Sequence, residues 1–285
     1  MSEFLAPSLA DLLRVGTPVI LVTVANAKGS TPREVGAAML VTTERSFGTI
    51  GGGRLEWEGL AQARKLLASG SMQSRVELPL GPAVGQCCGG HVALRLRRAG
   101  ATELAELKAA EAAAGAARPL VLLFGAGHVG RALASALAPL PLRLRWIDSR
   151  AGEFPGLVSA GVEVVVTDRP LAEIAQAPAG SAAFVVTHSH SLDFTLCSTV
   201  LERGDFAYLG LIGSRTKRAK FERGLRELGI PGERITAMAC PIGSTGLRDK
   251  RPPVIAALAA AELLLALAGV RTEAAAPKAA QERAA

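Results

Sequence analysis

Leu122-Leu123-Phe124-Gly125-Ala126-Gly127-His128-Val129-Gly130 is the stretch that decides the reading of this chain. An apolar run that breaks into G-x-G-x-x-G is the pattern of a strand turning sharply into a helix, with the helix's first N–H groups presented to a phosphate. The motif alone is common. Here a second apolar run, Arg145-Trp146-Ile147-Asp148, ends on a carboxylate 18 residues beyond Gly130. A dinucleotide-binding domain of the Rossmann type keeps its ribose-binding acid at that spacing. Gly125, Gly127, Gly130 and Asp148 are therefore candidate cofactor-binding residues.

Outward from this motif the pattern continues as strand 120–124, helix 129–138, strands 143–147 and 162–166, helix 170–176, strand 182–187, helix 193–203, strand 206–212, helix 215–228 and a closing helix 253–268. Such alternation predicts a doubly wound parallel sheet with helices on both faces. Residues 271–285 carry Ala, Glu, Lys and Arg without periodicity and read as a disordered tail.

The motif begins only near residue 119, so something sizeable precedes it. Residues 4–14 have helical spacing and Val19-Ile20-Leu21-Val22-Thr23-Val24 is β-branched and apolar; strands follow at 36–43, 46–50, 75–80 and 91–96, with a helix at 55–67. The fold expected is α/β, an N-terminal α+β domain (residues 1–100) followed by a Rossmann-like doubly wound parallel-sheet domain (118–270). The Ala/Glu-rich stretch 101–117 has high helix propensity but little apolar bulk, and reads as a linker.

Composition narrows the function classes. With 285 residues, 49% of them hydrophobic and 20% charged, the chain can bury two ordinary cores. A net charge of +7 favours an anionic ligand or partner, but aromatics are only 4% and no nucleic-acid-reading motif occurs, so nucleic acid is not expected. Four cysteines, two adjacent, do not make a secreted disulfide framework, and a cytoplasmic location is expected. Met1-Ser2-Glu3-Phe4 lacks a basic signal-peptide start. Val254–Val270 carries Glu262 at its middle and falls short of the roughly 20 apolar residues of a membrane span.

Five further segments carry candidate chemistry. Gly29-Ser30-Thr31-Pro32-Arg33 combines a turn, two hydroxyls and the Arg33 guanidinium fork, as an oxyanion or phosphate clamp would. Gly51, Gly52 and Gly53 stand between a strand and a helix, where a simple turn needs only one glycine, so a close backbone approach to a ligand is expected. Cys87 and Cys88, flanked by glycines and near His91, suit soft-metal or sulfur chemistry, although their spacing is not that of a zinc site. Thr187-His188-Ser189-His190 with Asp193 lies at a strand end; two histidines and one carboxylate are too few for a metal site, and Asp193 reads as a helix cap. Gly213-Ser214-Arg215 opens a helix with six basic residues from Arg215 to Arg226 against Glu222, and its start suits an anion; Cys240-Pro241-Ile242-Gly243 brings another thiol toward the same end.

Taken in order, Gly29-Ser-Thr-Pro-Arg33, Gly48-Thr-Ile-Gly-Gly-Gly53 with Leu55-Glu56, Gly85-Gln-Cys-Cys-Gly-Gly90, the G-x-G-x-x-G run, Thr187-His188 with Asp193, Gly210-x-x-Gly-Ser-Arg215 and Cys240-Pro-Ile-Gly243 resemble the XdhC/CoxI family over about residues 10–268. The resemblance implies a chaperone that binds the molybdenum cofactor, protects it while a cysteine desulfurase installs the terminal sulfur, and inserts it into the molybdenum subunit of xanthine dehydrogenase. A homo-oligomer is expected. Molybdopterin carries a phosphate and a dithiolene, which suits N–H donors, Arg33 and the thiols of Cys87 and Cys88. His188, Ser214 and Arg215 complete the expected cofactor-binding set, with no catalytic residue and no resident metal. The competing class is an NAD(P)-dependent oxidoreductase built on Gly125, Gly127, Gly130 and Asp148, though no lysine, tyrosine or histidine has the spacing of a dehydrogenase acid or base.

Overall fold

The structure is a computed structural model and describes residues 5–80, 90–159, 161–244, 247 and 249–269. The chain divides into two compact units, residues 1–116 and 117–285.

In the first unit the elements run α1 (Ala6–Arg14), β1 (Ile20–Lys28), β2 (Ala38–Val41), β3 (Ser46–Gly48), α2 (Gly53–Ser69), β4 (Gln73–Leu80), β5 (Gly90–Arg98) and α3 (Ala101–Ala117). The sheet is antiparallel with strand order β3-β2-β1-β5-β4. Alternation along β1 divides its side chains between two faces. Ile20, Val22 and Val24 pack with Leu55, Ala63 and Leu66 of α2, whereas Leu21 packs with Leu5 and Leu9 from the α1 segment.

The stretch 101–117 is the helix α3, and it belongs with this second face. Leu104 and Leu107 pack on the Leu9–Leu21 cluster, and Arg97 pairs with Glu103 and Glu106 at 3.3 and 2.5 Å. Glu111 reaches farther: its Oε1 accepts from the N–H groups of Leu5 (2.5 Å) and Ala6 (2.9 Å), satisfying donors that the start of α1 would otherwise leave open.

The second unit runs β6 (Leu120–Phe124), α4 (His128–Leu137), β7 (Arg143–Asp148), β8 (Val162–Val166), α5 (Pro170–Gln176), β9 (Ala182–Val185), α6 (His190–Arg203), β10 (Tyr208–Leu211), α7 (Arg215–Glu227), α8 (Gly232–Ala237) and α9 (Pro252–Leu267). All five strands are parallel in the order β10-β9-β6-β7-β8, so the winding reverses between β6 and β9. Leu120, Leu122 and Phe124 join one core with residues of α5 to α8, while Val121 and Leu123 join the other with α4 and α9. Both faces are thus covered, which is why the strands read as continuous apolar runs. Glu262, midway along apolar α9, accepts from Gly243 N at 2.8 Å. No described helix is long and apolar enough to cross a membrane.

Element bounds shift by a few residues from the sequence reading throughout, and in the second unit one helix was not expected. The strand expected to reach 187 stops at Val185, and the following helix starts at His190 because Ser189 caps it. The strand expected over 206–212 is confined to Tyr208–Leu211. Helix α8 follows Pro231-Gly232 and is too short for apolar periodicity to reveal. The expected tail, 271–285, lies outside the described residues.

The turn from β6 into α4 rests on two glycines for packing reasons. Gly125 has φ +116°, and a Cβ there would collide with Val186 O; a Cβ on Gly130 would collide with Gly125 O. At Gly127 a Cβ would meet no atom within 4 Å. Gly130→Ala should therefore lower stability by about 1–3 kcal/mol or more through overpacking, and Gly127→Ala by well under that. Urea midpoints of the two variants check the contrast; equal losses would contradict it.

Candidate functional site

A crevice of about 160 Å³ opens at the carboxyl ends of the second unit's strands, lined by Phe124, Gly125, Ile147, Asp148, Thr187 and His188 among others. Its position beside the β6/β9 reversal is where open α/β sheets bind ligands. The volume is well below the roughly 300–1,000 Å³ of a site that encloses a drug-sized ligand. A single ring or a sugar fragment fits it; a whole dinucleotide would lie mostly outside.

Gly125, which lines the crevice, leads two residues on into the N-terminus of α4. Gly127 is its N-cap and no side chain caps it, so its first amides keep room for an incoming anion. In contrast, Ser189 caps α6 by accepting from Leu192 N (3.3 Å), and Ser214 caps α7 by accepting from Lys217 N (3.1 Å). Of the three motif glycines, only Gly127 leaves open space; Gly125 and Gly130 are required by the packing of the turn itself.

Asp148 forms the crevice wall, but its carboxylate is already engaged. Oδ2 accepts from Ala126 N (2.8 Å) and Arg150 Nη2 (2.9 Å), and Oδ1 from Arg150 N and Nε (both 3.0 Å). Four donors fill the usual acceptor positions of a carboxylate, leaving none for a ribose hydroxyl while Arg150 stays in place. Burial alone would raise the pKa of Asp148, but the Arg150 side chain and the backbone N–H groups of Arg150 and Ala126 outweigh it and hold it at about 2.

On the other side of the reversal lies a buried polar cluster whose pairing the sequence did not reveal. Asp193 is fully buried and is not the cap of α6. Its Oδ1 accepts from Thr187 N (3.1 Å) and Thr187 Oγ1 (2.7 Å), and its Oδ2 accepts from Lys217 Nζ (2.6 Å), which also donates to Ile212 O (2.9 Å). One member of the basic run on α7 is thereby drawn inward. A second, Arg218, donates to Cys240 O (2.9 Å) and Glu222 Oε1 (2.7 Å), whereas Arg215 is exposed. Cys240 is buried and its thiol is pushed up to about 11; buried Cys197 is pushed higher still. Both stay protonated at neutral pH, and of the two readings open for Cys240 its place in the core cluster with Phe221 and Ile235 favours packing. His188 and His190 are exposed at the loop and helix start, and the described residues hold no metal-binding group of three His, Cys, Asp or Glu.

Among the described residues the first unit brings two glycine-bearing loops and the start of β5 together. A Cβ on Gly51 (φ +122°) would fall 2.5 Å from Pro32 Cβ and 3.3 Å from Arg33 Cγ, and one on Gly90 would collide with Ser30 O. Segments 29–33, 49–53 and the start of β5 therefore meet. Cys87 and Cys88 lie outside the described residues. The donors of the Gly51–Gly53 loop are largely spent internally: Glu56 Oε2 accepts from Thr49 Oγ1, Ile50 N (3.3 Å) and Gly52 N (3.2 Å), and Gly51 N donates to Thr49 Oγ1 (3.1 Å). The sequence reading named Glu56 as part of the motif without giving it this role; its place in the first turn of α2, four residues after Gly52, was the available signal. Gly52 and Gly53 keep positive φ, and Gly52 faces open space. The Arg33 guanidinium, half-buried, lies 3.7 Å from Glu34.

Removing either Asp193 or Lys217 strands a buried charge, so Asp193→Asn and Lys217→Met should each cost about 3–5 kcal/mol in urea unfolding, with the double variant costing less than the sum. For Asp148, the folded-state pKa of about 2 lies below the ~3.9 of an unfolded chain. Its contribution is complete above that unfolded value and disappears as pH falls through about 2. Asp148→Asn should therefore flatten the loss of stability between pH 4 and 2; an acid limb parallel to that of the parent protein would show the group is not linked to folding.

Comparison with known proteins places this geometry in a family. The chain is 28% identical to the uncharacterized protein YqeB of Escherichia coli (strain K12) over 260 residues, covering 90% of this chain and 44% of YqeB. A crystal structure of a Bacillus halodurans protein described as a xanthine dehydrogenase superposes with a TM-score of 0.73 at 17% identity, over 97% of this chain and 98% of that one, which shows a shared fold. Residues 12–78 match the XdhC and CoxI family, and residues 121–263 match the XdhC Rossmann domain. With half of its length in that second match and the first unit's loops in the other, the chain belongs to the XdhC/CoxI family.

Proposed function

We propose that this protein binds the molybdenum cofactor as cargo, shields it while a cysteine desulfurase supplies the terminal sulfur, and passes it to the molybdenum subunit of xanthine dehydrogenase. The observation that carries this reading furthest is the uncapped start of α4 at Gly127, whose amides are open to a phosphate. Molybdopterin offers one phosphate for those amides, while its fused rings, larger than the single ring the crevice takes, would extend beyond it. Family membership supports the same reading.

The residues divide the work as follows. In the second unit, taken by itself, Gly127 and the first amides of α4 are the phosphate donors and His188 and Thr187 the neighbours of the ring; in the first unit, taken by itself, Arg33, Gly52 and Gly53 are candidate polar contacts on that unit's own loops. Ser214 and Arg215 are retained as secondary contacts: the Ser214 hydroxyl already accepts a backbone bond, and Arg215 has an exposed guanidinium. Cys87 and Cys88 supply soft donors suited to molybdenum or to the transferred sulfur. The chain then acts as a cytoplasmic carrier and homo-oligomer, without turnover of its own. The four filled acceptor positions of Asp148 weigh against an NAD(P)-dependent oxidoreductase.

Side-by-side titration with molybdopterin and with NAD and NADP tests the reading. Molybdopterin should bind and Gly127→Val should abolish its binding without unfolding the protein, while Cys87→Ser with Cys88→Ser should lower both cofactor retention and activation of xanthine dehydrogenase. Nicotinamide binding with turnover, or full activation by the double serine variant, would contradict the carrier reading or the thiol role respectively.

A further inference from the structure

The chain has two tryptophans, held in opposite surroundings. Trp146 is buried in the second unit and donates its Nε1–H to Gly125 O at 2.9 Å. Trp57, on α2 of the first unit, is 65% exposed. A scattered exposed aliphatic needs no explanation, but an indole is the largest apolar side chain, and this chain is poor in aromatics.

The surroundings of Trp57 on its helix make the exposure informative. Helix α2 buries Leu55, Gly59, Ala63 and Leu66. Arg54, Trp57, Ala61 and Arg64, spaced i, i+3, i+7 and i+10, share the opposite stripe, and all four are exposed, as is Lys65 beside them. Ala61, with only a methyl group, leaves the indole uncovered on that side. Among the described residues none of Arg54, Arg64 and Lys65 has a carboxylate partner. The two nearest acids on the helix are turned to other tasks: Glu56 holds the glycine loop, and Glu58 accepts from Gln62 Nε2 at 3.0 Å. The result is a positive stripe with an indole inside it.

Tryptophan and arginine are the residue types most enriched among the anchors of protein interfaces. The stripe from Arg54 to Arg64 is about 15 Å long at 1.5 Å per residue and lies on a convex helix face, whereas small ligands take concave sites. We propose that this stripe is the docking surface for a partner protein whose matching face is acidic around an apolar recess that receives the Trp57 indole. Resting on the carrier reading, that partner is the molybdenum subunit of xanthine dehydrogenase.

The test uses the full chain, the purified apo-subunit and molybdopterin, with binding of each measured separately for the parent protein, Trp57→Ala and Arg54→Glu with Arg64→Glu. Trp57→Ala should weaken binding of the subunit by about 30-fold, the size of an interface anchor, with molybdopterin affinity unchanged. The charge-reversed variant should slow association and reduce its dependence on salt. In the parent protein, emission from Trp57 should lose its quenching by iodide when the subunit is added. Unchanged subunit affinity in Trp57→Ala overturns the proposal, as does a parent protein that holds molybdopterin but does not bind the subunit; the cofactor reading then stands. A loss of molybdopterin affinity in Trp57→Ala would instead assign the indole to the cargo, and a Trp57-dependent dimer that forms without the subunit would assign it to a second copy of the chain; either overturns the proposal. Trp57-dependent subunit binding by a chain that holds no molybdopterin upholds the docking surface while removing the carrier reading.

Discussion

The second unit depends on how closely α4 approaches the end of β6. Because neither Gly125 nor Gly130 has a side chain, the carbonyl of Gly125 lies directly under the first turn of the helix. Two groups from β7 then brace the turn: Trp146 Nε1 donates to Gly125 O, and Asp148 accepts from Ala126 N. The turn cannot move without breaking bonds to the neighbouring strand. That rigidity leaves the start of α4 open at Gly127, since nothing in the chain must fold back to satisfy it, and a fixed set of unpaired amides loses little order when an anion arrives.

Charge is distributed to suit this frame. In the second unit the buried Asp193–Lys217 pair joins the loop after β9 to the loop after β10 through Thr187 and Ile212. Such a pair contributes little net stability relative to apolar residues but makes alternative arrangements expensive. Asp148 and Arg150 act similarly at the other side of the crevice. In the first unit Glu56 performs the equivalent service for the glycine loop, and its inward turn is what leaves the basic residues of α2 without acidic company.

Much of the architecture was legible in the sequence because parallel strands buried on both faces read as unbroken apolar runs, as in Leu120–Phe124 and Ala182–Val185. The glycine motif likewise announced its turn. What stayed hidden was which polar side chains pair with which. Asp193 looks like a helix cap until Lys217, 24 positions later, is brought to it. Asp148 has the spacing of a ribose-binding acid, and its engagement by Arg150, only two positions away, depends on a local bend that no periodicity encodes. Glycines also carry one letter for different duties: Gly125 and Gly130 yield to close backbone approach and Gly51 to the side chain of Pro32, whereas Gly127 and Gly52 face space.

The part played by α3 bears on how the chain can be dissected. By composition it is a spacer, with no fully buried residue. Yet Glu111 holds the start of α1 across 106 positions of sequence, and Leu104 and Leu107 cover the cluster beneath it. The first unit is therefore closed by its last helix, much as a lid is fixed by the clasp farthest from its hinge. A gene fragment ended at residue 100, where the antiparallel sheet is already complete, would encode every strand and still lack the clasp; an independently expressed first unit has to run to the end of α3.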